Sequence, residues 1–206
     1  MKYLPVIIVM GFALSLCNLA DKLHGKKSSS SSGSGSSSSD ISAEHGEATA
    51  AQLAALSGGQ PAKWDRQGMS WTVPPQWKEQ SSEAKEFIWS SGGEDAASLI
   101  VSISPMDEKF PSEESLKAYY ESSQSRAKNG EVDEVRWVEI DGLTGVQFRE
   151  ANPEKPDGFR RLQWLSYRKF TGQLQGINVM LATNGKGFPK HQDALYGILY
   201  SMKITH

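Results

Sequence analysis

Side chains able to do chemistry are sparse in this chain and widely scattered. The four histidines, His24, His45, His191 and His206, include no pair at metal-ligand spacing. His191 beside Asp193 on a helical run reads as a surface or half-buried side chain rather than a base. Acid pairs occur at Asp107-Glu108, Glu113-Glu114 and Asp133-Glu134, each beside a turn or a helix start. There carboxylates act as solvated charge and as partners of the helix dipole, and no EF-hand spacing is present. No G-x-S-x-G elbow offers a nucleophilic serine. Gly92-Gly93 and "TNGKGF" lack the Walker spacing; "NGKG" at 184–187 precedes a helix start, where an anion can bind, but reads first as a plain turn. The single cysteine, Cys17, excludes an intrachain disulfide and leaves the folded part without a thiol. No nucleophile with its base, no metal set and no cofactor site can be assembled from these residues, so the sequence argues against an enzyme.

Two features point instead to docking. The stretch "NPEKPDGFRR", 152–161, is long for a hairpin connection, mixes both charge signs and ends in Arg160-Arg161. With Lys155, these arginines can face a carboxylate or phosphate partner, or they can pair with local acids on an exposed strand. The second feature is the tryptophans, all six between Trp64 and Trp164. In a domain with one core most must be structural, and Trp77 and Trp89 are the candidates for an exposed interface or a ligand pocket. Acidic residues number 24 against 22 basic, without long runs of one sign, which excludes the basic footprint of a nucleic-acid binder.

The N-terminal part addresses location. Lys2 precedes an apolar stretch from Leu4 to Leu16, the length of a signal-peptide core and short for a membrane span. Leu14-Ser15-Leu16-Cys17 resembles the lipobox of bacterial lipoproteins, in which the cysteine becomes the lipidated first residue; it departs from that pattern at Leu16, where a small residue is usual. Ordinary secretion with cleavage after Ala20, or an uncleaved anchor, are the alternatives. From Ser28 to Ser39 the chain is serine and glycine only, a coil reaching on the order of 20 Å. Residues 1–17 thus read as a leader, 18–60 as a flexible linker with a short helix over 42–56 capped at Ser42, and 61–206 as the folded domain.

Within that domain, alternation of apolar and polar residues predicts strands at "MSWTV", "EFIWSS", "ASLIVSISP", "EVRWVEIDG", "TGVQFREAN", "FRRLQWLSYRKF" and "LQGINVMLATN". The joining turns fall at Asp141-Gly142 and Thr171-Gly172. A helix begins near Ser112 with Leu116, Tyr119, Tyr120 and Ser123 on one face, and ends at Asn129-Gly130. A closing helix opens at Pro189 and buries Phe188, Leu195, Ile198, Leu199 and Met202. Strands, helix, strands and helix make an α+β domain, an antiparallel sheet of about six or seven strands covered by helices.

The order of these elements, with "WTVPPQW", "EIDGLTGVQFRE" and "ALYGILYSMKI", resembles the PsbP-like family over roughly residues 63–206. That family is an α/β/α sandwich and includes bacterial envelope lipoproteins of the DcrB type. The resemblance implies a non-catalytic domain docking on larger assemblies at a membrane surface, with no shared active-site residues. The expectation is an exported, envelope-tethered interaction domain, anchored through lipid on Cys17, whose partner is an envelope protein or membrane complex. A small-molecule-binding lipoprotein with a pocket between sheet and helix is the alternative.

Overall fold

The computed structural model describes residues 42–205. Cys17, the leader and the serine-glycine run lie outside these residues. Two long hairpins build the centre. β7 (Val132–Ile140) turns into β8 (Leu143–Glu150), and β9 (Phe159–Phe170) into β10 (Gln173–Asn184). Both turns are two residues long, with positive φ at Asp141 and Thr171 as well as at the glycines that follow, the geometry that matches strand twist. β4 (Lys78–Ser82), β5 (Glu86–Ser90) and β6 (Ser98–Pro105) extend the sheet beyond β10. With β1 (Glu44–His45) at the far edge, the order across the sheet is β1-β7-β8-β9-β10-β6-β5-β4.

This eight-stranded sheet is larger than the six or seven strands expected, and its composition differs. β1 (Glu44–His45) joins β7 in parallel through only two residues, too short to leave a periodic signal. β4, with the sequence Lys-Glu-Gln-Ser-Ser, is largely exposed and lacks apolar alternation. "MSWTV", here β3 (Met69–Val73), leaves the main sheet. With β2 (Gln60–Trp64) and the terminal β11 (Lys203–Ile204) it forms a separate three-stranded sheet. Pro74 and Pro75 deny β3 a continuation into the next strand of the large sheet.

Strand alternation sends Leu162, Trp164, Ile177, Val179, Leu181, Leu99 and Val101 to one face, all fully buried. On them pack α3 (Phe188–Tyr200) and the small sheet; Phe188, Leu195, Ile198, Leu199 and Met202 are fully buried, as the spacing predicts. Trp164 lies flat across β8 because Gly145 has no side chain; a Cβ there would stand 2.6 Å from the indole. α2 (Ser112–Lys128) covers part of the opposite face. Leu116, Tyr119 and Tyr120 pack there against Trp137, Val146, Leu165 and Tyr167. The helix begins after Pro111 without a side-chain cap, so Ser112 is its first residue rather than its cap.

The segment before residue 60 is also built in. α1 spans only Ala50–Ala55, not 42–56, and is capped reciprocally by Thr49 and Gln52. It docks closely: the carbonyl of Gln52 stands 2.7 Å from where a Cβ on Gly197 of α3 would be, an approach only glycine permits. Leu56 is buried in the core, so the packed unit starts before residue 61. Among the described residues no helix is long and apolar enough to cross a membrane.

Candidate interaction site at the loop end of the sheet

Three connections meet at one end of the large sheet: residues 91–97 between β5 and β6, 151–158 between β8 and β9, and 185–187 between β10 and α3. Backbone hydrogen bonds knit the last two, with Gly185 N donating to Gly158 O (2.9 Å) and Lys186 N to Pro156 O (3.0 Å). Asn184 ties in the first, its Nδ2 donating to Asp95 Oδ1 at 2.9 Å. Lys186 Nζ then stands among three acids, 3.5 Å from Asp95, 3.6 Å from Glu94 and 3.8 Å from Asp157. The Asn184 hydrogen bond, followed by Lys186 and Lys190, holds the Asp95 carboxyl below its usual range. Asp95 foremost, with Glu94 and Asp157, raises the Lys186 ammonium. "NGKG" is therefore a turn: Asn184 Oδ1 already accepts from Gly187 N at 2.7 Å, and acids surround the lysine.

The cationic candidates do not converge on this surface. Lys155 is exposed on the 151–158 connection. Arg160 is buried, 6% exposed, with its guanidinium 4.2 Å above the Phe188 ring. Its Nη2 donates to Asp133 Oδ2 at 2.5 Å and its Nε to the Glu150 carbonyl at 2.9 Å. Arg161 points to the other face and is paired with Glu150. Both arginines thus serve internal pairing; an even position on β9 faces the core, which is why Arg160 cannot reach out. Behind Arg160 a polar network ties β7 and β8 to α3. Tyr196 Oη donates to Glu134 Oε2 at 2.9 Å and accepts from Arg149 Nη1 at 3.1 Å. Burial and the Glu134 carboxylate push the Tyr196 phenol far above its usual range.

Trp77 and Trp89 do not reach the surface either. Trp77 is 2% exposed and Trp89 9%, and neither presents a ring to solvent. Trp89 borders an aromatic cluster in which Phe87 stacks on Trp64 and Trp71 at 5.5 Å each. The exposed large aromatic among the described residues is instead Phe159, which is not among the sequence candidates. Phe159, 78% exposed, heads β9 opposite Asn184, directly after the 151–158 connection. Alternation contained the signal: if Arg160, Leu162 and Trp164 face inward, Phe159 faces out. Leu53, on α1, is the other exposed large apolar side chain among the described residues.

At the opposite end of the molecule an open, mostly polar cleft of about 440 Å³ runs between the small sheet and Asp141. Among the described residues no group of three or more His, Cys, Asp or Glu side chains is placed to hold a metal ion.

The architecture is an α/β/α sandwich, a large antiparallel-dominated sheet with a helix on each face. No protein-family model matches the chain, and no curated protein matches it. Among solved structures it is similar to LpqN of Mycobacterium tuberculosis, involved in cell envelope biogenesis. That match has a TM-score of 0.52 and 14% identity over 72% of this chain and 86% of LpqN. Cyanobacterial PsbP from Synechocystis sp. PCC 6803 matches at TM-score 0.45 and 13% identity over 71% of this chain and 92% of its own. The Ran-binding protein Mog1p of Saccharomyces cerevisiae matches at TM-score 0.42 and 12% identity over 71% and 95%. At such identities the likeness is one of fold alone.

Proposed function

We propose that this chain is a non-enzymatic, envelope-tethered domain that docks on a membrane-associated protein or complex through its loop end, with Phe159 as the anchor. The observation that carries the reading is the Phe159 ring, 78% exposed at the rim of loops held by hydrogen bonds and a four-residue charge cluster. A large apolar side chain on a fixed support loses little freedom on binding and suits the apolar pocket of a protein partner. The leader and the serine-glycine run support export and tethering, with lipid on Cys17 as the anchor. The fold neighbour LpqN, involved in cell envelope biogenesis, supports the same compartment. Among the described residues the space between sheet and helices is filled by buried tryptophan, leucine and isoleucine.

A photo-crosslinking amino acid placed at position 159 in the native envelope tests this. A discrete adduct from position 159, absent when the same probe replaces exposed Lys85, is the expected result. No adduct, or the same adducts from both positions, overturns the docking role of this end.

A further inference from the structure

Arg168 lies toward the other end of β9, on the core face, and is 5% exposed. Its guanidinium stacks 4.2 Å above the Phe170 ring. Nε donates to Gln175 Oε1 at 3.2 Å, and Nη2 donates to the Gln67 carbonyl at 2.7 Å and to Gln67 Oε1 at 3.1 Å. Every one of these acceptors is neutral. Burial alone lowers its pKa, with no carboxylate acting on it. Nη1 has no hydrogen-bond partner. Three other buried nitrogens share that condition: Trp71 Nε1 and Trp89 Nε1 carry no charge, and Arg161 has Glu150 beside it. Among the described residues Arg168 is the buried cation without a counter-charge.

Taking a guanidinium out of water without an opposing charge is strongly unfavourable, so a protein that keeps one has a use for it or a partner for it. Its neighbours fix the group for a partner. Gln67 Nε2 is held by the Ala84 carbonyl at 2.8 Å, which turns the Gln67 oxygen toward Arg168. Gln67 directly precedes Gly68, which lines the open cleft together with Lys63, Asp65, Ser70, Lys203 and Thr205. Arg168 does not itself line the cleft; between them stand Gln67-Gly68 and β11, where Thr205 N donates to Gly68 O at 2.8 Å and two paired residues hold β11 to β3. Lys63 makes no ion pair among the described residues, and Asp141 in the same cleft is taken by Lys203 and Ile204 N.

We infer that this end of the sandwich binds a small oxyanion, a phosphate or carboxylate group. It enters from the cleft past β11 and places its oxygens on Arg168 Nη1, drawn in by Lys63. Gln175 and Gln67 hold Nε and Nη2 in place, and the two N–H groups of Nη1 are the donors left for an anion's oxygen. This site is separate from the docking end and stands or falls without it.

The test is thermal unfolding of the full chain in mild detergent, with inorganic phosphate or acetate titrated at constant ionic strength against chloride. At tenfold excess over the dissociation constant, the midpoint rises by about 3 to 6 °C for at least one of the two ions. The rise disappears in Arg168→Met and persists in Arg160→Met. Gln175→Glu, which keeps the arginine but gives it an internal carboxylate, also removes the rise. This second variant keeps the test decisive should Arg168→Met fail to fold. No rise with either ion, or a rise undiminished in the variants at 168 and 175, overturns the inference.

Discussion

Arg160 and Arg168 are eight residues apart on one strand and face the same core. They are buried to 6% and 5% exposure, and each stacks 4.2 Å above a phenylalanine. Their surroundings nevertheless differ in kind. β7 delivers Asp133 to Arg160, and that carboxylate also accepts from Arg149 Nε at 2.5 Å, so two cations share one acid beside Glu134. At the other end the strand partner offers Gln175 and the turn before β3 offers Gln67, amides without charge. Alternation put both guanidiniums inside; only the neighbours decided which one is neutralised. The charge-balanced end also carries the loops that support Phe159, and a closed, paired interior beneath an exposed ring fits a rigid docking surface.

The comparison can be broken by making one end resemble the other. Asp133→Asn turns the Arg160 end into an uncompensated one. The expected loss is about 2 to 3 kcal/mol by urea unfolding, less than for a fully buried pair because Asp133 keeps 34% of its side chain exposed. A loss under about half a kcal/mol would mean that the pairing counts for no more than a surface contact. Gln175→Glu works the other way, placing a carboxylate against Arg168 Nε. It should stabilise by about 1 kcal/mol near pH 7. The new carboxyl would be held below its ordinary value, so the gain is present above that value and is lost as pH falls through the depressed one.

The smallest expected effect concerns His191 at the loop end. Burial lowers its pKa, with Lys190 adding to the shift and Asp95 opposing it. The unfolded chain therefore takes up a proton before the folded one does. Stability from this group is complete above the ordinary histidine value of about 6.5 and falls as pH drops toward the depressed value. In His191→Gln, unfolding midpoints compared between pH 7 and pH 5 should show a slope shallower by a few tenths of a kcal/mol, about the scale of an exposed-site effect.

Much of this was legible in the residues. The long central strands, both two-residue hairpins and the buried face of α3 follow from alternation, turn chemistry and helical spacing. The short elements were not, because β1 and β11 are two residues each and β4 is polar throughout. α1 was misplaced because alanines propagate helix equally well on either side of the Thr49 cap, and its docking depends on a glycine in α3, far along the chain. For the candidate site, residue type misled where parity would have served. Arg160-Arg161 drew attention as charge, and Trp77 and Trp89 as aromatic surface, yet the strand sends Arg160 inward and Phe159 outward. The missing counter-charge of Arg168 is a property of three separate segments and has no local sequence mark.

The most direct measurement of the central contrast is paired urea unfolding of Arg160→Met and Arg168→Met against the parent chain at pH 7 without added phosphate. The account predicts that Arg160→Met loses about 2 kcal/mol or more, leaving Asp133 with one partner fewer. Arg168→Met should match the parent or exceed it by about 1 kcal/mol, since a methionine removes an uncompensated buried charge. If Arg168→Met proves the more damaging of the two, the guanidinium at that end is already satisfied from within the fold, and the contrast between the two ends does not hold.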